Sequence, residues 1–101
     1  MAIAITYENF ESLVLSGDKP ALVDFWAEWC GPCRRLGPMV EELAAEHPEI
    51  MVGKVNVDQY PDLARRYGVA VIPTVIAFRD GEPVAQMQGV QSKEDLLSMV
   101  L

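Results

Sequence analysis

The N-terminal part of the chain alternates short apolar runs with polar turns. Residues 3–5 form an apolar run that predicts a short strand, and Thr6 is placed to cap a helix reaching about residue 16. The apolar positions of that helix have helical spacing and are Phe10, Leu13 and Val14. After a turn at residues 17–20, residues 21–26 form an apolar run with one charge, Asp24, which predicts a central strand.

The middle of the chain has the period of a long helix. Apolar spacing predicts a helix over residues 32–46, with a kink at Gly37-Pro38. Its apolar stripe consists of Leu36, Met39, Val40, Leu43 and Ala44. Residues 50–57 then predict a strand, and residues 61–67 predict a short helix that Gly68 ends as the C′ residue.

The last part of the chain indicates a hairpin and a final helix. Residues 74–78 and 83–88, joined through Asp80-Gly81, have the pattern of a β-hairpin. Ser92 followed by Asp95 has the form of a capping box that opens a helix. The apolar residues of that helix are Leu96, Leu97, Val100 and Leu101. The predicted order is β-α-β-α-β-α-β-β-α, an α/β fold with a mixed central sheet and helices on both faces.

Length and charge restrict the classes of function. A chain of 101 residues suits one domain over residues 1–101. With 15 acidic and 8 basic residues the net charge is −7, which argues against binding to nucleic acid or to an anionic membrane surface. No targeting segment or uninterrupted apolar span occurs, so we expect a cytoplasmic protein. In a reducing cytoplasm a pair of cysteines indicates redox or metal chemistry rather than a structural bridge.

Cys30 and Cys33 lie where the predicted central strand gives way to the long helix. Residues three apart in an α-helix have Cα atoms roughly 5 Å apart, within the range of about 4.4–6.8 Å that a disulfide needs. The bond closes a short ring, so loop entropy would give it on the order of 2 kcal/mol, less than a bridge over a long loop. A reversible disulfide is the better interpretation.

The start of the predicted helix gives the two cysteines different expected roles. Free N–H groups and the macrodipole there would stabilise a thiolate at Cys30. Gly31 and Pro32 follow and would shape the site, since Pro32 near the first helical position fixes φ and has no N–H to leave unpaired. Cys33 is one turn further in and is expected to be less exposed. We therefore predict that Cys30 attacks and that Cys33 resolves the mixed disulfide.

A Cys-x-x-Cys pair can also bind zinc or attach haem, and the rest of the chain argues against both. A zinc site needs four ligands, and only His47 and carboxylates remain to join the cysteines. Haem attachment needs a histidine directly after the second cysteine, where this chain has Arg34. Two inert buried cysteines at this spacing would be a coincidence. We therefore predict no metal site.

Residues 23–33, Val-Asp-Phe-Trp-Ala-Glu-Trp-Cys-Gly-Pro-Cys, resemble the active-site signature of the thioredoxin family. The likeness continues in order along the chain. The further matching segments are Lys54-Val55-Asn56-Val57-Asp58, Tyr67-Gly68-Val69, Ile72-Pro73-Thr74, Asp80-Gly81-Glu82 and Gly89. The resemblance implies a thioredoxin fold and a thiol–disulfide oxidoreductase with no cofactor beyond a redox-active Cys30–Cys33 disulfide.

The resemblance also assigns roles to residues away from the cysteines. Asp24 resembles the buried acid that takes the proton from Cys33, and desolvation in an apolar strand should raise its pKa. The alternative for Asp24 is a solvent-facing strand residue. Lys54 resembles the lysine paired with that acid, which would temper the pKa shift, and is otherwise an ordinary exposed side chain. Pro73 resembles a cis-proline facing the disulfide, although only about 5–6% of X–Pro bonds in folded proteins are cis.

Further positions resemble the surface that receives a client protein. A cis bond at Pro73 would turn the Ile72 backbone towards a groove in which an extended segment can pair. Trp26 and Trp29 would flank the site, with core packing the alternative for Trp26. The residues expected to line the docking surface are Trp29, Gly68, Val69, Ile72 and Gly89. For Val69, plain core packing is a strong alternative.

The resemblance implies a general reductant of protein disulfides. Gly-Pro between the cysteines is typical of reducing members, whereas oxidants and isomerases commonly carry a histidine before the second cysteine. We expect a monomer whose partners are disulfide-containing client proteins and a thioredoxin reductase. An NADPH-dependent flavoprotein is the expected reductase, and a ferredoxin-linked one is the alternative. A non-catalytic binding subunit and a zinc-bridged dimer are the competing functions.

The chain departs from the commonest family pattern at three places. They are Arg34-Arg35, Ala70-Val71 and Gln88. The two cations near Cys30 would favour its thiolate or select acidic partners. These departures bear on the expected client preference and not on the reaction.

Overall fold

The computed structural model describes residues 1–101 and has a five-stranded mixed sheet at its centre. The strands are β1 (Ile3–Ala4), β2 (Ala21–Trp26), β3 (Met51–Asn56), β4 (Thr74–Arg79) and β5 (Glu82–Gln88). Their order across the sheet is β1-β3-β2-β4-β5, with β1, β3 and β2 parallel. Strand β4 runs antiparallel to β2, and β5 runs antiparallel to β4. The predicted α/β fold with a mixed sheet is confirmed.

Three α-helices and one π-helical turn cover the sheet. The π-helical turn spans Glu11–Leu15, and the α-helices are α1 (Gly31–Glu46), α2 (Pro61–Arg66) and α3 (Lys93–Ser98). Four residues separate β2 from α1, and α1 continues through Pro38, where the sequence predicts a kink. None of these helices has the length and apolar character needed to cross a membrane.

Successive residues of β2 point to opposite faces of the sheet and build two cores. Leu22 packs with α1 and α3, whereas Val23 and Phe25 pack with the π-helical turn and α2. The helix residues in the first of these cores are Leu36, Val40, Leu43 and Leu96, and those in the second are Val14, Leu63 and Ala64. This two-sided burial explains why β2 is an almost continuous apolar run, and it confirms helices on both faces.

Local turn chemistry produces the predicted hairpin and the predicted helix start. Asp80 and Gly81 have φ of 54° and 81°, the left-handed pair that a two-residue hairpin turn requires. They join β4 to β5. The Ser92 hydroxyl accepts the N–H of Asp95 at 3.1 Å and so caps α3.

Two predicted helices differ in extent from the observed ones. Thr6 does cap the first, since its hydroxyl accepts the N–H of Asn9 at 3.3 Å, but a turn and a π-helical turn follow instead of an α-helix. The predicted length of the last helix was wrong, because α3 ends at Ser98. Val100 is buried beyond that end, where its carbonyl accepts a hydrogen bond from Arg79 of β4. The chain end is thereby held against the sheet.

Candidate active site

Cys30 and Cys33 lie at the junction of β2 and α1 and form a disulfide with Cα atoms 5.2 Å apart. Cys30 is the N-cap of α1, and its Sγ accepts the N–H of Cys33 at 3.2 Å. The Cα separation expected from the sequence is therefore confirmed. Both residues are buried, with 5% of Cys30 and 3% of Cys33 exposed, so the expected difference in exposure is small.

Gly31 and Pro32 form the first turn of α1 between the two cysteines. Pro32 stands at a position where a backbone N–H has no intrahelical acceptor, so the helix loses no hydrogen bond there. A Cβ at Gly31 would meet no heavy atom within 4 Å. The rim of the disulfide on the side of Gly31 is therefore open.

The loop before β4 approaches the disulfide from the other side. The carbonyl oxygen of Ile72 lies 3.8 Å from Cys30 Sγ, and the Ile72–Pro73 peptide bond is cis, as the family resemblance implied. The N–H of Gly89 donates to the Pro73 carbonyl at 2.8 Å. The structure thus brings Ile72 and Pro73 to Cys30 and places Gly89 next to Pro73.

Asp24 lies in β2 on the face covered by α1, because Leu22, two residues earlier, packs against that helix. Its side chain is buried, and neither carboxylate oxygen has a hydrogen-bond partner. A cavity of about 10 Å³ adjoins it, lined otherwise by apolar side chains. Burial raises the pKa of Asp24 to about 7, and the charge of Lys54 opposes that rise. The solvent-facing alternative for Asp24 is therefore excluded.

Lys54 stands opposite Asp24 in the parallel pairing of β2 and β3. Its ammonium makes no hydrogen bond to Asp24, whose oxygens have no partner; Nζ lies 3.7 Å from Glu41 Oε2 and 4.6 Å from the centroid of the Trp26 ring. Lys54 and Asp24 are thus neighbours in the sheet register with no hydrogen bond between their side chains. Lys54 acts on Asp24 through its charge, which lowers the pKa against the larger effect of burial.

The two tryptophans near the cysteines differ in burial and in their contacts. Trp29 is 68% exposed, and its indole N–H donates to Asp58 Oδ2 at 2.9 Å. Trp26 is half-buried and packs against the small cluster formed by Ala27 and the two cysteines. Sequence reasoning missed the role of Asp58, because nothing in the local pattern after β3 links it to a residue 29 positions earlier.

Two exposed valines beside the expected contact residues were also missed. Val71, directly before Ile72, is 49% exposed, and Val90, directly after Gly89, is 37% exposed. The buried hydroxyl of Thr74 donates to the Val71 carbonyl at 2.6 Å and fixes the shape of this loop. Adjacency in the chain to predicted contact residues is the signal that could have found both valines.

Gly68 and Val69 have local roles that the structure explains without the disulfide. Gly68 has a φ of 66°, and its N–H donates to the Arg65 carbonyl at 3.2 Å. The N–H of Val69 donates to the Ala64 carbonyl at 2.9 Å, which completes the hydrogen-bond pattern of a Schellman motif at the end of α2. Val69 packs against the core on that face of the sheet. No hydrogen bond joins either residue to the cysteines.

One of the two arginines after Cys33 is tied to the rim of the site. Arg34 donates from Nη1 to the carbonyl of Glu28 at 2.8 Å, and both Arg34 and Arg35 are exposed on the first turns of α1. This departure from the family pattern therefore adds positive charge at the surface beside the disulfide.

The site combines a disulfide across the first turn of a helix with a buried carboxyl group on the strand behind that helix, whose pKa is near neutral. These features define the chain as a thiol–disulfide oxidoreductase. No three His, Cys, Asp or Glu side chains are grouped so that they could hold a metal ion. The family model for thioredoxin matches residues 1–101. The chain belongs to the thioredoxin family, whose members are oxidoreductases acting on disulfides.

Named relatives match along nearly the whole chain. The thioredoxin of Chlamydia pneumoniae is 48% identical over 100 residues, covering 99% of this chain and 96% of that protein. The thioredoxin of Alicyclobacillus acidocaldarius is 47% identical over 95 residues, covering 93% and 90%. A bifunctional thioredoxin reductase/thioredoxin of Mycobacterium leprae is 45% identical over 98 residues, covering 96% of this chain and 21% of that protein.

Proposed function

We propose that the protein reduces disulfides in client proteins, with Cys30 as the attacking residue and Cys33 as the resolving residue. One observation carries this proposal: the N–H of Cys33 points at Cys30 Sγ, 3.2 Å away at the N-cap of α1. A helix N-terminus stabilises an anion there, so Cys30 is the sulfur favoured as a thiolate. No backbone N–H is directed at the sulfur of Cys33.

The reaction transfers two electrons from the two thiols to the client. The Cys30 thiolate attacks one sulfur of the client disulfide, and the other client sulfur leaves as a thiolate that takes a proton from water. Cys33 then gives its proton to the Asp24 carboxylate, and its sulfur attacks Cys30 Sγ. The Cys30–Cys33 bond forms, and the second client sulfur leaves as a thiolate and is protonated.

Asp24 suits the role of proton acceptor because its pKa of about 7 lies close to neutral pH. It lies on the face of the sheet that α1 covers, and Cys33 is in the first turn of that helix. Lys54 tunes the acid through its charge. Gly31, Pro32, Trp26 and Pro73 shape the site around the sulfurs.

The client is proposed to bind as an extended segment along the loop before β4. The Ile72 carbonyl near Cys30 supports this, since a backbone acceptor can pair with such a segment. Exposed apolar side chains of Trp29, Val71 and Val90 lie beside the site residues and offer contact surface. The further prediction that Gly68 and Val69 touch clients stays a prediction.

The proposed electron donor is a thioredoxin reductase of the NADPH-flavoprotein type. The Mycobacterium leprae relative, whose name joins a thioredoxin reductase to a thioredoxin, supports a reductase as partner. We further propose that the chain works as a single-domain monomer in the cytoplasm, with the Cys30–Cys33 disulfide as its only redox group and no resident metal.

Insulin reduction driven by NADPH and a thioredoxin reductase tests the reaction. The protein should accelerate insulin precipitation well above the thiol background, and Cys30→Ser and Cys33→Ser variants should not. A rate of insulin precipitation with the wild-type protein no higher than the thiol background would contradict the proposal.

Trapping of clients tests the assignment of attacker and resolver. A Cys33→Ser variant should hold clients as mixed disulfides at Cys30, because the second step is blocked, and these should be released by dithiothreitol. A Cys30→Ser variant is the matched control and should trap nothing. Trapping on Cys33 in that control would reverse the two roles.

A further inference from the structure

Glu41 of α1 has each of its carboxylate oxygens engaged by a different part of the molecule. Oε1 accepts the N–H of Ala2 at 2.8 Å, and Oε2 lies 3.7 Å from Lys54 Nζ. The ion pair is partly shielded, with 23% of the Lys54 side chain and 38% of the Glu41 side chain exposed. Because the Ala2 contact fixes the carboxylate, Glu41 is a stationary anion for the lysine.

The position of the Lys54 ammonium contrasts with its place in the sheet. Lys54 and Asp24 are direct partners in the β2–β3 register, so their side chains start from neighbouring points. Yet Asp24 has no hydrogen-bond partner, and Nζ lies over the Trp26 ring, 4.6 Å from its centroid. The lysine therefore has an unpaired carboxyl group on the neighbouring strand and an ion pair with another residue.

We propose that Glu41 is a positioning residue that holds the Lys54 ammonium over Trp26 and away from the Asp24 carboxyl. Glu41 makes no hydrogen bond to the sulfurs, and it acts on the reaction through Lys54. The inference rests on the proposed function of Asp24 as the proton acceptor for Cys33. Glu41 would then help to set the pH at which the Asp24 carboxyl group ionises and can accept a proton.

The other charged groups around Lys54 are few. Glu28 and Tyr60 line the same open cleft of about 350 Å³, which lies between the start of the chain and β3. The amino group of Met1 is one residue beyond the Ala2 contact. Glu41 is the carboxylate in ion-pair contact with Lys54.

Removing the charge of Glu41 should lower the pKa of Asp24. The freed ammonium can turn towards the unpaired carboxyl group, and an opposite charge within about 4–6 Å favours the ionised form. We expect the ionised fraction of Asp24 at about pH 6 to rise about threefold in Glu41→Gln. Glutamine keeps the shape and can still accept the N–H of Ala2, so the start of the chain stays in place.

The test is an NMR titration of the Asp24 carboxyl carbon in the oxidised protein, where no thiol titrates alongside it. The variants are Glu41→Gln, Lys54→Met and both together. Glu42→Gln is the matched control, because Glu42 is the next residue on α1 and pairs with Lys93 at 2.9 Å instead. Glu41→Gln should move the Asp24 titration to lower pH, and Glu42→Gln should not.

The double variant identifies the route of the effect. If Glu41 acts through Lys54, Glu41→Gln should have almost no effect in the Lys54→Met background. An equal shift in both backgrounds would overturn the inference, as would an unchanged titration in Glu41→Gln or an equal shift in Glu42→Gln.

Kinetics separate this inference from the proposed function. The rate of mixed-disulfide resolution at about pH 6 should rise about threefold in Glu41→Gln, with little change at about pH 9, where Asp24 is ionised in both proteins. A shifted titration without a shifted rate profile would support the positioning role of Glu41 and contradict the role of Asp24 as proton acceptor. An unshifted titration would overturn the positioning role whatever the rates.

Discussion

Asp24 and Thr74 are the two polar side chains that are buried in this protein, and they lie on neighbouring strands. They differ in whether their polar atoms have hydrogen-bond partners. The Thr74 hydroxyl donates to the Val71 carbonyl at 2.6 Å, whereas neither oxygen of Asp24 has a partner. A buried polar group left unpaired costs about 1–3 kcal/mol, and more when it is charged. The fold therefore provides a hydrogen-bond partner for the Thr74 hydroxyl, which shapes the loop, and none for the Asp24 carboxyl, which is proposed to carry a proton.

The largest expected effect of this contrast is on stability. The pKa of Asp24 is about 7 in the folded protein against an ordinary value of 3.8. Between these values the folded protein binds the proton more than the unfolded chain does. The free energy of unfolding therefore falls as the pH rises through this window, and above about pH 7 this contribution is constant.

The size of that effect is measurable by comparing the wild-type protein with Asp24→Asn. The full pKa difference corresponds to about 4 kcal/mol, of which about 3 kcal/mol falls between about pH 4.5 and pH 8.5. Urea unfolding at these two pH values should show the variant gaining that amount relative to wild type on going to the higher pH. A stability difference that is independent of pH would contradict the assigned titration.

The next effect is on the rate of the second chemical step. Without a carboxylate to accept the proton of Cys33, Asp24→Asn should resolve the mixed disulfide about 100-fold more slowly near neutral pH. Formation of the mixed disulfide by Cys30 should keep its rate. Stopped-flow measurement with a small disulfide substrate separates the two steps, and equal slowing of both would contradict the role of Asp24.

Thr74→Val tests the buried polar residue that does have a hydrogen-bond partner. The change keeps the shape and removes the hydroxyl, so the Val71 carbonyl loses its donor and the protein should lose about 1 kcal/mol of stability. Because no ionisable group changes, this loss should be the same at low and high pH in urea unfolding. A pH-dependent loss would mean that Thr74 and Asp24 are coupled.

The smallest effect is expected at an exposed and paired carboxylate. Asp58 accepts the indole N–H of Trp29 in an exposed position, so Asp58→Ala, which removes the acceptor, should change stability by less than about 0.5 kcal/mol. The variant tests docking of the reductase. Without the hydrogen bond the Trp29 side chain is less ordered before binding, so the KM for the reductase should rise about twofold and kcat should stay unchanged. An effect on kcat instead would place Asp58 in the chemistry.

Features of the fold that depend on local chemistry were predictable from the sequence. Asp80-Gly81 specified its turn because a left-handed backbone is accessible to few residue types, and Gly68 ended α2 for the same reason. The form of residues 6–16 was not predictable, since an apolar spacing suited to an α-helix is also met by the wider π-helical turn. Phe10 and Val14 are both buried in the core, which their apolar spacing did predict.

The site was predictable as far as its residues follow one another in the chain. Cys30 and Cys33 could be placed from helix geometry alone. The place of Asp24 beneath α1 depends on which face of β2 that helix covers, which an apolar run on both faces does not specify. The true partner of Lys54 was also out of reach, because Glu41 meets it only when α1 packs across β3.

The helix that carries the cysteines already holds them at the spacing that a disulfide needs, 5.2 Å between Cα atoms. Gain or loss of the bond therefore requires little movement of the backbone. The direction of electron transfer is set by the concentrations and relative reduction potentials of the reacting dithiols and disulfides. The same pair of cysteines can therefore carry two electrons in either direction, according to the redox conditions.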